Sequence, residues 1–463
     1  MAGRLPALWK RFSSTITPRP IPPKAHHHAP IPDHAFPRGY VLTGLHAGVK
    51  KTGALDLALI LSTTPDPASA AACFTRNAFK AAPVVVSEEV LQRNGGTARA
   101  VVVNSGCANA VTGKQGMEDA WAMVRATDAL SGADKAGANQ TLVMSTGVIG
   151  QYLPIAKIIA GIQSQAAQNN SLGSTFDAWE RAAKALMTTD TFPKLRARTF
   201  TINGKEYRMA GMDKGAGMIH PDMGPPRTIG QLHATLLGCI LTDAAVSRRS
   251  LQSALTYAVD RSFNSISVDG DMSTNDTILV LANGAAVTGS GILEEIDEER
   301  DPAAYEIFRD EFTAFATDLA QLVVRDGEGA TKFITVSVEG AATYADAHLI
   351  ASRISTSALV KTALYGQDAN WGRILAATGS VPLSTPLDPK RVSVSFIPTD
   401  GSPVLPLLVN GEPEMVDEAR AKEILSVEDL EVRVQLGIGK ESAKYWTCDF
   451  SYDYVRINGD YRS

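Results

Sequence analysis

Apolar and polar residues alternate along this chain in a way that predicts strands and helices following one another. Short apolar runs bounded by polar residues or glycines are typical of buried strands, and an apolar residue at every third or fourth position indicates a helix. Runs of the first kind predict strands at 98–103, 141–144, 277–281, 333–338, 391–397, 432–436 and 445–457. Spacing of the second kind predicts helices at 117–130, 250–263, 312–324, 345–361 and 416–425. Strands interleaved with helices indicate the α/β class.

The segments between these elements carry most of the small polar residues. The strand at 98–103 runs into Asn-Ser-Gly-Cys-Ala-Asn at 104–109, which indicates a loop, and the strand at 141–144 stops at Ser-Thr-Gly. The run 236–241 is apolar, and 293–301 is acidic, as expected of a solvated surface.

Composition narrows the class of protein. The 463 residues are 44% hydrophobic and 20% charged, which is ordinary for a soluble globular protein of two or three domains. A net charge of -5 gives no reason to expect nucleic acid as a partner. The sequence contains no run of 18 or more apolar residues, so a membrane span is not expected. The four cysteines are too far apart for a CxxC pair, so buried free thiols are expected.

The first 32 residues contain five basic residues and no acidic one. Hydroxyl residues and a short apolar face accompany them, which is typical of a mitochondrial transit peptide and places the mature protein in the matrix. A merely disordered basic tail is the alternative.

Two neighbouring segments suggest that the chain cuts itself between Ala234 and Thr235. The stretch 214–223 is rich in glycine and begins with a lysine, and 233–243 places a threonine after a small residue. A threonine hydroxyl can attack the preceding carbonyl, and hydrolysis of the resulting ester leaves threonine as a new N-terminus. Its free amine, with a pKa of about 7.7–8.0, can then act as base for its own hydroxyl.

Ordered motifs extend the picture over most of the chain. They are MSTGVIG at 144–150, MTTDT at 187–191, KGAGMI at 214–219, ATLLG at 234–238, SVDGDMSTND at 267–276, DGEGATK at 326–332, YGQDANWGR at 365–373 and NGDYRS at 458–463. In this order they resemble the ornithine acetyltransferase family of arginine biosynthesis. The resemblance implies stacked sheets flanked by helices with an N-terminal threonine nucleophile, a catalytic domain at 33–340, and a smaller α/β domain at 341–463 whose C-terminus returns to the active site.

The resemblance also assigns roles to residues. Thr235 would be the nucleophile, and Thr146 with Gly147 would form the oxyanion hole. The implied substrate-binding residues are Thr188, Lys214, Thr235, Glu328, Asn458 and Ser463. Thr189 or Thr191 could be the true contact in place of Thr188, and each other residue also has a plain structural explanation as a turn or surface position.

The implied reaction moves acetyl from N2-acetylornithine to glutamate, releasing ornithine, through an acetyl-threonine. It needs no metal or other cofactor. Bifunctional members of the family also accept acetyl-CoA, and the sequence leaves that activity open here. A heterotetramer of two α and two β chains from one precursor is implied. The aspartates of 269–276 lack the EF-hand spacing and are interpreted as loop and capping residues.

One departure from the family pattern lies beside the proposed cut. Ten residues, 224–233, separate the HPDM segment from ATLLG. Because a misplacement of about 1 Å can cost roughly 100-fold in rate, the insertion bears on self-cleavage. Two alternatives stay open: a self-cleaving aminopeptidase-like hydrolase in which water replaces glutamate as acceptor, and a non-catalytic homologue that the insertion leaves uncut.

Overall fold

The computed structural model describes residues 19–133, 139–226, 236–287 and 295–460. The strands are β1 Tyr40–Leu45, β2 Leu57–Ser62, β3 Ala68–Thr75, β4 Thr97–Ala98, β5 Ala100–Cys107, β6 Thr141–Val148, β7 Lys194–Ile202, β8 Lys205–Lys214, β9 Met223–Gly224, β10 Leu237–Thr242, β11 Ile266–Ser267, β12 Thr277–Ala282, β13 Phe333–Ala341, β14 Ser393–Pro398, β15 Leu405–Val409, β16 Glu412–Pro413, β17 Asp429–Gln435 and β18 Glu441–Cys448. The helices are α1 Ala82–Arg93, α2 Gly113–Ser131, α3 Ile155–Ser164, α4 Phe176–Leu186, α5 Arg248–Arg261, α6 Pro302–Arg325, α7 Tyr344–Ser355, α8 Ala358–Gly366, α9 Trp371–Thr378, α10 Glu418–Ile424 and α11 Tyr452–Asp460.

These strands form three mixed sheets within the described residues, each with parallel and antiparallel pairs. The first has the order β1-β2-β5-β6, and the second has the order β4-β3-β12-β10-β8-β7 with β9 added beside β3. The third has the order β11-β18-β13-β17-β14-β15-β16. The α/β class and the stacked, helix-flanked sheets expected from the sequence are confirmed.

The second sheet is covered on both faces, and its strands show this residue by residue. In β10, Leu237, Cys239 and Leu241 join the core shared with the first sheet, whereas Ile240 joins the core formed with α5 and α6. Strand β12 alternates in the same way. Because both faces are buried, these strands are continuously apolar rather than alternating with polar residues.

The third sheet belongs to the C-terminal part of the chain but reaches back before residue 341. Strand β13 pairs with β17 and β18 near its centre, and β11 pairs with β18 at its edge. A third core lies between this sheet and the helices α7 to α10.

Three element predictions differ from the structure for identifiable reasons. The strand expected over 445–457 ends at Cys448, and α11 follows because the Ser451 hydroxyl accepts the Tyr454 N–H at 3.1 Å as an N-terminal cap. The helix expected over 345–361 is broken at Thr356, where Ser357 caps α8.

The third difference concerns the polar ends of β5 and β6, which were expected to be loops and are strand. Their polar side chains bond to each other: the Ser145 hydroxyl donates to Asn104 Oδ1 at 2.6 Å. The Asn275 amide group donates to the carbonyls of Ser145 and Ala108 at 2.8 and 2.7 Å. Internal pairing of this kind lets polar residues stay in a buried sheet.

Residues 19–32 of the expected leader pack against the body of the protein. The Lys24 ammonium lies 2.7 Å from Glu428, and the Arg19 N–H donates to the Tyr365 hydroxyl at 3.2 Å. The rest of the expected leader lies outside the described residues. Among the helices that are described, none has the length and apolar character needed to cross a membrane. The four cysteines are free and buried, as expected.

A buried ammonium joins β7, α6 and the segment before β7. Lys194 Nζ lies 2.6 Å from Asp190 and 2.6 Å from Asp326, and all three side chains are almost completely inaccessible to solvent. Burial alone would lower the pKa of Lys194, but the two carboxylates raise it above its usual value. Burial likewise opposes ionisation of Asp190, yet the neighbouring Lys194 and Lys214 bring its pKa below the usual value.

The second carboxylate shares the same cation. Burial and the charge of Asp190 raise the pKa of Asp326, against the effect of Lys194. The Thr191 N–H donates to Asp326 at 2.9 Å, and the Thr191 hydroxyl donates to the other carboxylate oxygen. We call Asp190, Lys194 and Asp326 the charge triad.

We expect Lys194→Met to destabilise the fold by about 3–5 kcal/mol, because it leaves two buried carboxylates without their cation. The measurement is the midpoint of urea unfolding. Lys184→Met is the matched control: its ammonium lies 2.8 Å from Glu180 in a partly exposed pair, and removing such a pair costs only about 0–1 kcal/mol.

Adding Asp190→Asn and Asp326→Asn to the Lys194→Met variant removes both unpaired charges. This triple variant should recover part of the stability lost in Lys194→Met. Equal unfolding midpoints for the two single lysine variants would contradict the assignment of a compensating charge to Lys194.

Candidate active site

A cavity of about 180 Å³ lies where the ends of β6 and β8 approach the turn after α6 and helix α11. Its lining residues are Thr146, Gly147, Thr188, Thr189, Lys214, Gly217, Met218, Glu328 and Asn458. Six residues singled out from the sequence therefore meet in one place, although they come from five separate segments. Ala234, Thr235 and Ser463 lie outside the described residues.

The end of β6 is shaped by two glycines that face each other. Gly147 has φ +125°, and a Cβ at this position would lie 2.3 Å from the carbonyl carbon of Gly106 on β5. The two strands are paired there in register, Gly106 with Gly147, just before a bulge. Only glycine permits this approach and this backbone angle. Thr146, the preceding residue, is buried while lining the cavity.

Lys214 ends β8 and supplies positive charge to the cavity. Its side chain is 3% exposed, and no hydrogen bond or ion pair joins its ammonium to another described residue. Burial lowers its pKa, and Asp190 is the strongest of the carboxylates that oppose this shift. Leu237 pairs with Lys214, so β10 enters the sheet beside the lysine.

Glu328 supplies negative charge at the same cavity. Its backbone N–H donates to the Ala216 carbonyl at 2.8 Å, which fixes the turn after α6 against the glycine-rich segment. A Cβ on Gly217 would lie 2.4 Å from the Glu328 carboxylate, so glycine is required for this contact. Asn458 of α11 donates to Glu328 Oε2 at 2.8 Å.

Helix α11 reaches the cavity because a glycine in the turn after α6 leaves room for its backbone. A Cβ on Gly329 would lie 2.5 Å from the Tyr454 nitrogen, so the backbone of α11 rests directly on this glycine. The return of the C-terminal segment towards the site was expected from the sequence, and Asn458 lies there. Ser463 itself falls beyond the described residues.

The three threonines considered from the sequence separate into two groups. Thr188 and Thr189 line the cavity, whereas the hydroxyl of Thr191 is bonded to Asp326 in the charge triad. Asp190 orders this segment because its carboxylate accepts the N–H groups of Thr188 and Gly215, each at 2.8 Å. The triad therefore connects the threonine segment with the glycine-rich segment after Lys214.

Sequence reasoning missed the triad and the role of two aspartates. Asp269 accepts the N–H groups of Met218 and Ile219 at 2.6 and 2.9 Å, and Asp276 accepts the Leu236 N–H. Both were interpreted as loop and capping residues, which describes these bonds but not their position beside the cavity. The segments described contain no group of three or more His, Cys, Asp or Glu side chains placed to hold a metal ion.

Opposite charges on two walls of a small cavity suit a ligand that carries an anionic and a cationic group. Lys214 can pair with a carboxylate, and Glu328 can pair with an ammonium. The glycine-lined end of β6 places backbone and Thr146 at the wall of the cavity, where they could contact a reacting carbonyl. These are the parts that acyl transfer requires, apart from the nucleophile.

Known proteins resemble this chain over most of its length. The sequence model of the ArgJ family matches residues 41–463 of this chain. The mitochondrial arginine biosynthesis bifunctional protein ArgJ of Postia placenta is 83% identical over 100% of both chains. The protein of the same name from Laccaria bicolor is 71% identical over 98% of this chain and 99% of its own. A solved structure, ornithine acetyltransferase complexed with ornithine from Mycobacterium tuberculosis, is 35% identical over 41% of this chain and 95% of its own, with a TM-score of 0.34.

Both relatives are named as mitochondrial, which confirms the mitochondrial localisation expected from the basic N-terminal residues. The family match covers the motifs from MSTGVIG to NGDYRS and begins after the expected leader. With 83% identity to a relative over its whole length and a family match from residue 41 onward, the chain belongs to the ArgJ family.

Proposed function

We propose that this chain is a self-processing acetyltransferase of arginine biosynthesis, which moves acetyl from N2-acetylornithine to glutamate through an acetyl-threonine at Thr235. The observation that carries the proposal is the cavity in which Thr146, Gly147, Lys214 and Glu328 meet. The relatives named bifunctional ArgJ support the same activity.

Charge explains how both amino acids would use one cavity. N2-acetylornithine and glutamate share an α-carboxylate, which Lys214 would bind. Ornithine also has a distal ammonium, and Glu328 would pair with it. Because Lys214 is buried, its attraction for a carboxylate is less screened by water than that of a surface lysine.

The chemistry proceeds in two halves. The Thr235 hydroxyl attacks the acetyl carbonyl of N2-acetylornithine while the free Thr235 amine takes its proton. The Thr146 hydroxyl and Gly147 N–H stabilise the oxyanion, a contribution typically of about 10²–10³ in rate. Ornithine leaves with that proton on its amine, and the glutamate amine then attacks the acetyl ester to regenerate Thr235.

The neighbourhood of the nucleophile supports its assignment. Leu237, two residues after Thr235, pairs with Lys214, and Leu236, the residue before β10, is fully buried. The chain that follows Thr235 is therefore fixed next to a wall of the cavity. At the start of the insertion, Gly224 pairs with Phe74 in the second sheet.

The proposal extends to a second acetyl donor and to assembly. Acetyl-CoA could load the same threonine, which would make the chain an acetylglutamate synthase as well, and the word bifunctional in the relatives' names supports this. Assembly into a heterotetramer of two α and two β chains is proposed on the resemblance alone. Family membership favours the transferase over the hydrolase alternative.

Self-processing predicts two fragments in the purified recombinant protein. We expect intact mass spectrometry to find a break before Thr235, because the threonine hydroxyl can attack the Ala234 carbonyl and the ester is then hydrolysed. Thr235→Ala removes the hydroxyl and should remain a single chain.

A wild-type protein that stays uncut would show that residues 224–233 prevent maturation or that the chain is a non-catalytic homologue. Deleting those ten residues separates the two explanations, since cleavage of the deletion variant would assign the block to the insertion.

Glu328→Gln should weaken the use of N2-acetylornithine by about 10–100-fold in kcat/KM, because a charge-assisted hydrogen bond contributes roughly 1.5–3 kcal/mol. The KM for glutamate should change little, since glutamate has no distal ammonium. Initial rates with each substrate varied in turn measure both effects.

Glu423→Gln provides the same chemical change far from the cavity, on a carboxylate paired with Arg420 at the surface. It should leave both KM values unchanged. A parallel loss for glutamate and N2-acetylornithine in Glu328→Gln would argue against an ammonium partner for Glu328.

A further inference from the structure

A second cavity, of about 600 Å³, lies where α5 and α7 meet the segment between β8 and β9. None of the described residues that line it also lines the cavity of the candidate active site. The two cavities border one segment, however, because Gly217 and Met218 line the first while His220 and Asp222 line the second. Small-molecule sites usually have volumes of about 300–1,000 Å³. The second cavity is therefore large enough for a small molecule, which would contact the segment bordering the candidate active site.

The hydrogen bonds around His220 leave one of its ring nitrogens as an acceptor. The Tyr445 hydroxyl donates its only hydrogen to the Ile266 carbonyl at 3.1 Å. It also lies 3.0 Å from Nδ1 of His220, so this nitrogen must carry a hydrogen and donate it. A neutral imidazole has one N–H, which makes Nε2 an acceptor. In the described part of the chain no group bonds to Nε2, and it is open to solvent.

His348 on α7 has the opposite tautomer and presents an acceptor in the same way. Its Nε2 lies 3.1 Å from the Asn264 carbonyl, which can only accept, so Nε2 carries the hydrogen. Its Nδ1 is then a bare acceptor, again with no partner among the described residues. Burial lowers the pKa of His348, and burial lowers the pKa of His220 to about 4. Both rings are therefore neutral at physiological pH and offer lone pairs to the cavity.

The charged residues of this cavity add further acceptors. Among the described lining residues Arg76 is the only cation, and it is paired with Asp222. One oxygen of Asp260 accepts the Asn264 amide at 3.1 Å, and the other has no hydrogen-bond partner in the described structure. With both histidines neutral, the described lining has one positive and two negative charges, which gives a net charge of -1.

A ligand that complements this lining donates several hydrogen bonds and carries positive charge. A guanidinium group has five N–H donors, no acceptor and one positive charge, and its donors lie along different edges of a plane. It can therefore reach acceptors on different walls, whereas a primary ammonium group directs its three donors to one side. We propose that the second cavity is a binding site for a small guanidinium compound, which His220, His348 and Asp260 hold. This site does not depend on the acetyl transfer proposed above.

The test is calorimetric titration of the full-length protein with ethylguanidinium chloride. Ethylurea is the matched ligand, since it has nearly the same shape but no charge and has an acceptor in place of one donor group. We expect ethylguanidinium to bind at least about tenfold more tightly than ethylurea, because hydrogen bonds to a charged group are stronger than those to a neutral one.

Two substitutions remove the bare acceptors and keep the bonds within the protein. The amide N–H of His220→Asn can still donate to the Tyr445 hydroxyl, and that of His348→Gln can still donate to the Asn264 carbonyl. The double variant should bind ethylguanidinium at least about tenfold more weakly than wild type.

Two control variants locate the binding. His46→Asn changes a histidine whose Nδ1 is also bonded, to the Ala54 carbonyl at 2.9 Å, but which is not among the residues that line either cavity. Glu328→Gln removes the carboxylate of the candidate active site. Both variants should bind ethylguanidinium as wild type does.

Chemical protection tests the same site without any substitution. Diethyl pyrocarbonate acylates unprotonated imidazole nitrogens, so it should modify the bare nitrogens of His220 and His348. Ethylguanidinium at about ten times its dissociation constant should slow both reactions about tenfold, in proportion to occupancy. The rate at His46 should not change, and ethylurea at the same concentration should protect neither residue. Mass spectrometry of the peptides measures each rate.

No detectable binding, equal affinity for the two ligands, unchanged affinity in the double histidine variant, or no protection of His220 and His348 would each overturn the proposal. Loss of binding in Glu328→Gln would place the ligand in the candidate active site and would also overturn it. A chain that lacks acetyltransferase activity but binds ethylguanidinium as described would uphold this site while refuting the proposed function.

Discussion

One buried ammonium sets the geometry of the site. Lys194 neutralises two carboxylates, and each carboxylate also holds a backbone segment that borders the cavity. Asp190 fixes Thr188 and Gly215, and Asp326 fixes the segment after Thr188 and begins the turn that carries Glu328. Because charges in the interior are stable only with their partners, these segments can lie in one arrangement and not in many. The groups that line the cavity are thus positioned by an interaction that does not itself line it.

The end of the cavity formed by β6 depends on close backbone contact instead of charge. Gly147 approaches Gly106 so closely that a side chain on Gly147 would displace a strand, and Gly217 leaves room for the Glu328 carboxylate. Glycines let the main chain itself form the wall, which brings N–H groups nearer to a substrate than side-chain donors would allow. Charge thus fixes the wall formed by Thr188 and Glu328, and steric exclusion fixes the wall formed by Gly147.

Many residues of the candidate site were predictable from the sequence, and the predictions that failed did so for physical reasons. Thr146, Lys214 and Glu328 were identified through motifs that resemble those of the ornithine acetyltransferase family, because short ordered motifs can be read from the sequence without knowledge of the fold. The charge triad was missed because its members are ordinary residues until a fold brings Lys194 and Asp326 together. Helix α11 was taken for a strand because Tyr-Asp-Tyr-Val alternates like one, and its cap and its contact with the turn after α6 outweigh that pattern.

The order of strands in the second sheet determines whether the two polypeptides formed by a cut before Thr235 would stay together. Strands β12 and β10 come after residue 235, and they lie between β3 and β8, which come before it. A break at that position would therefore leave two polypeptides that both contribute strands to one sheet. Separating them would break the β3–β12 and β10–β8 pairings in a buried sheet. An affinity handle on either polypeptide would retrieve both in equal amounts. The two polypeptides would still come from one gene, because they would be made and would fold as one chain before the cut.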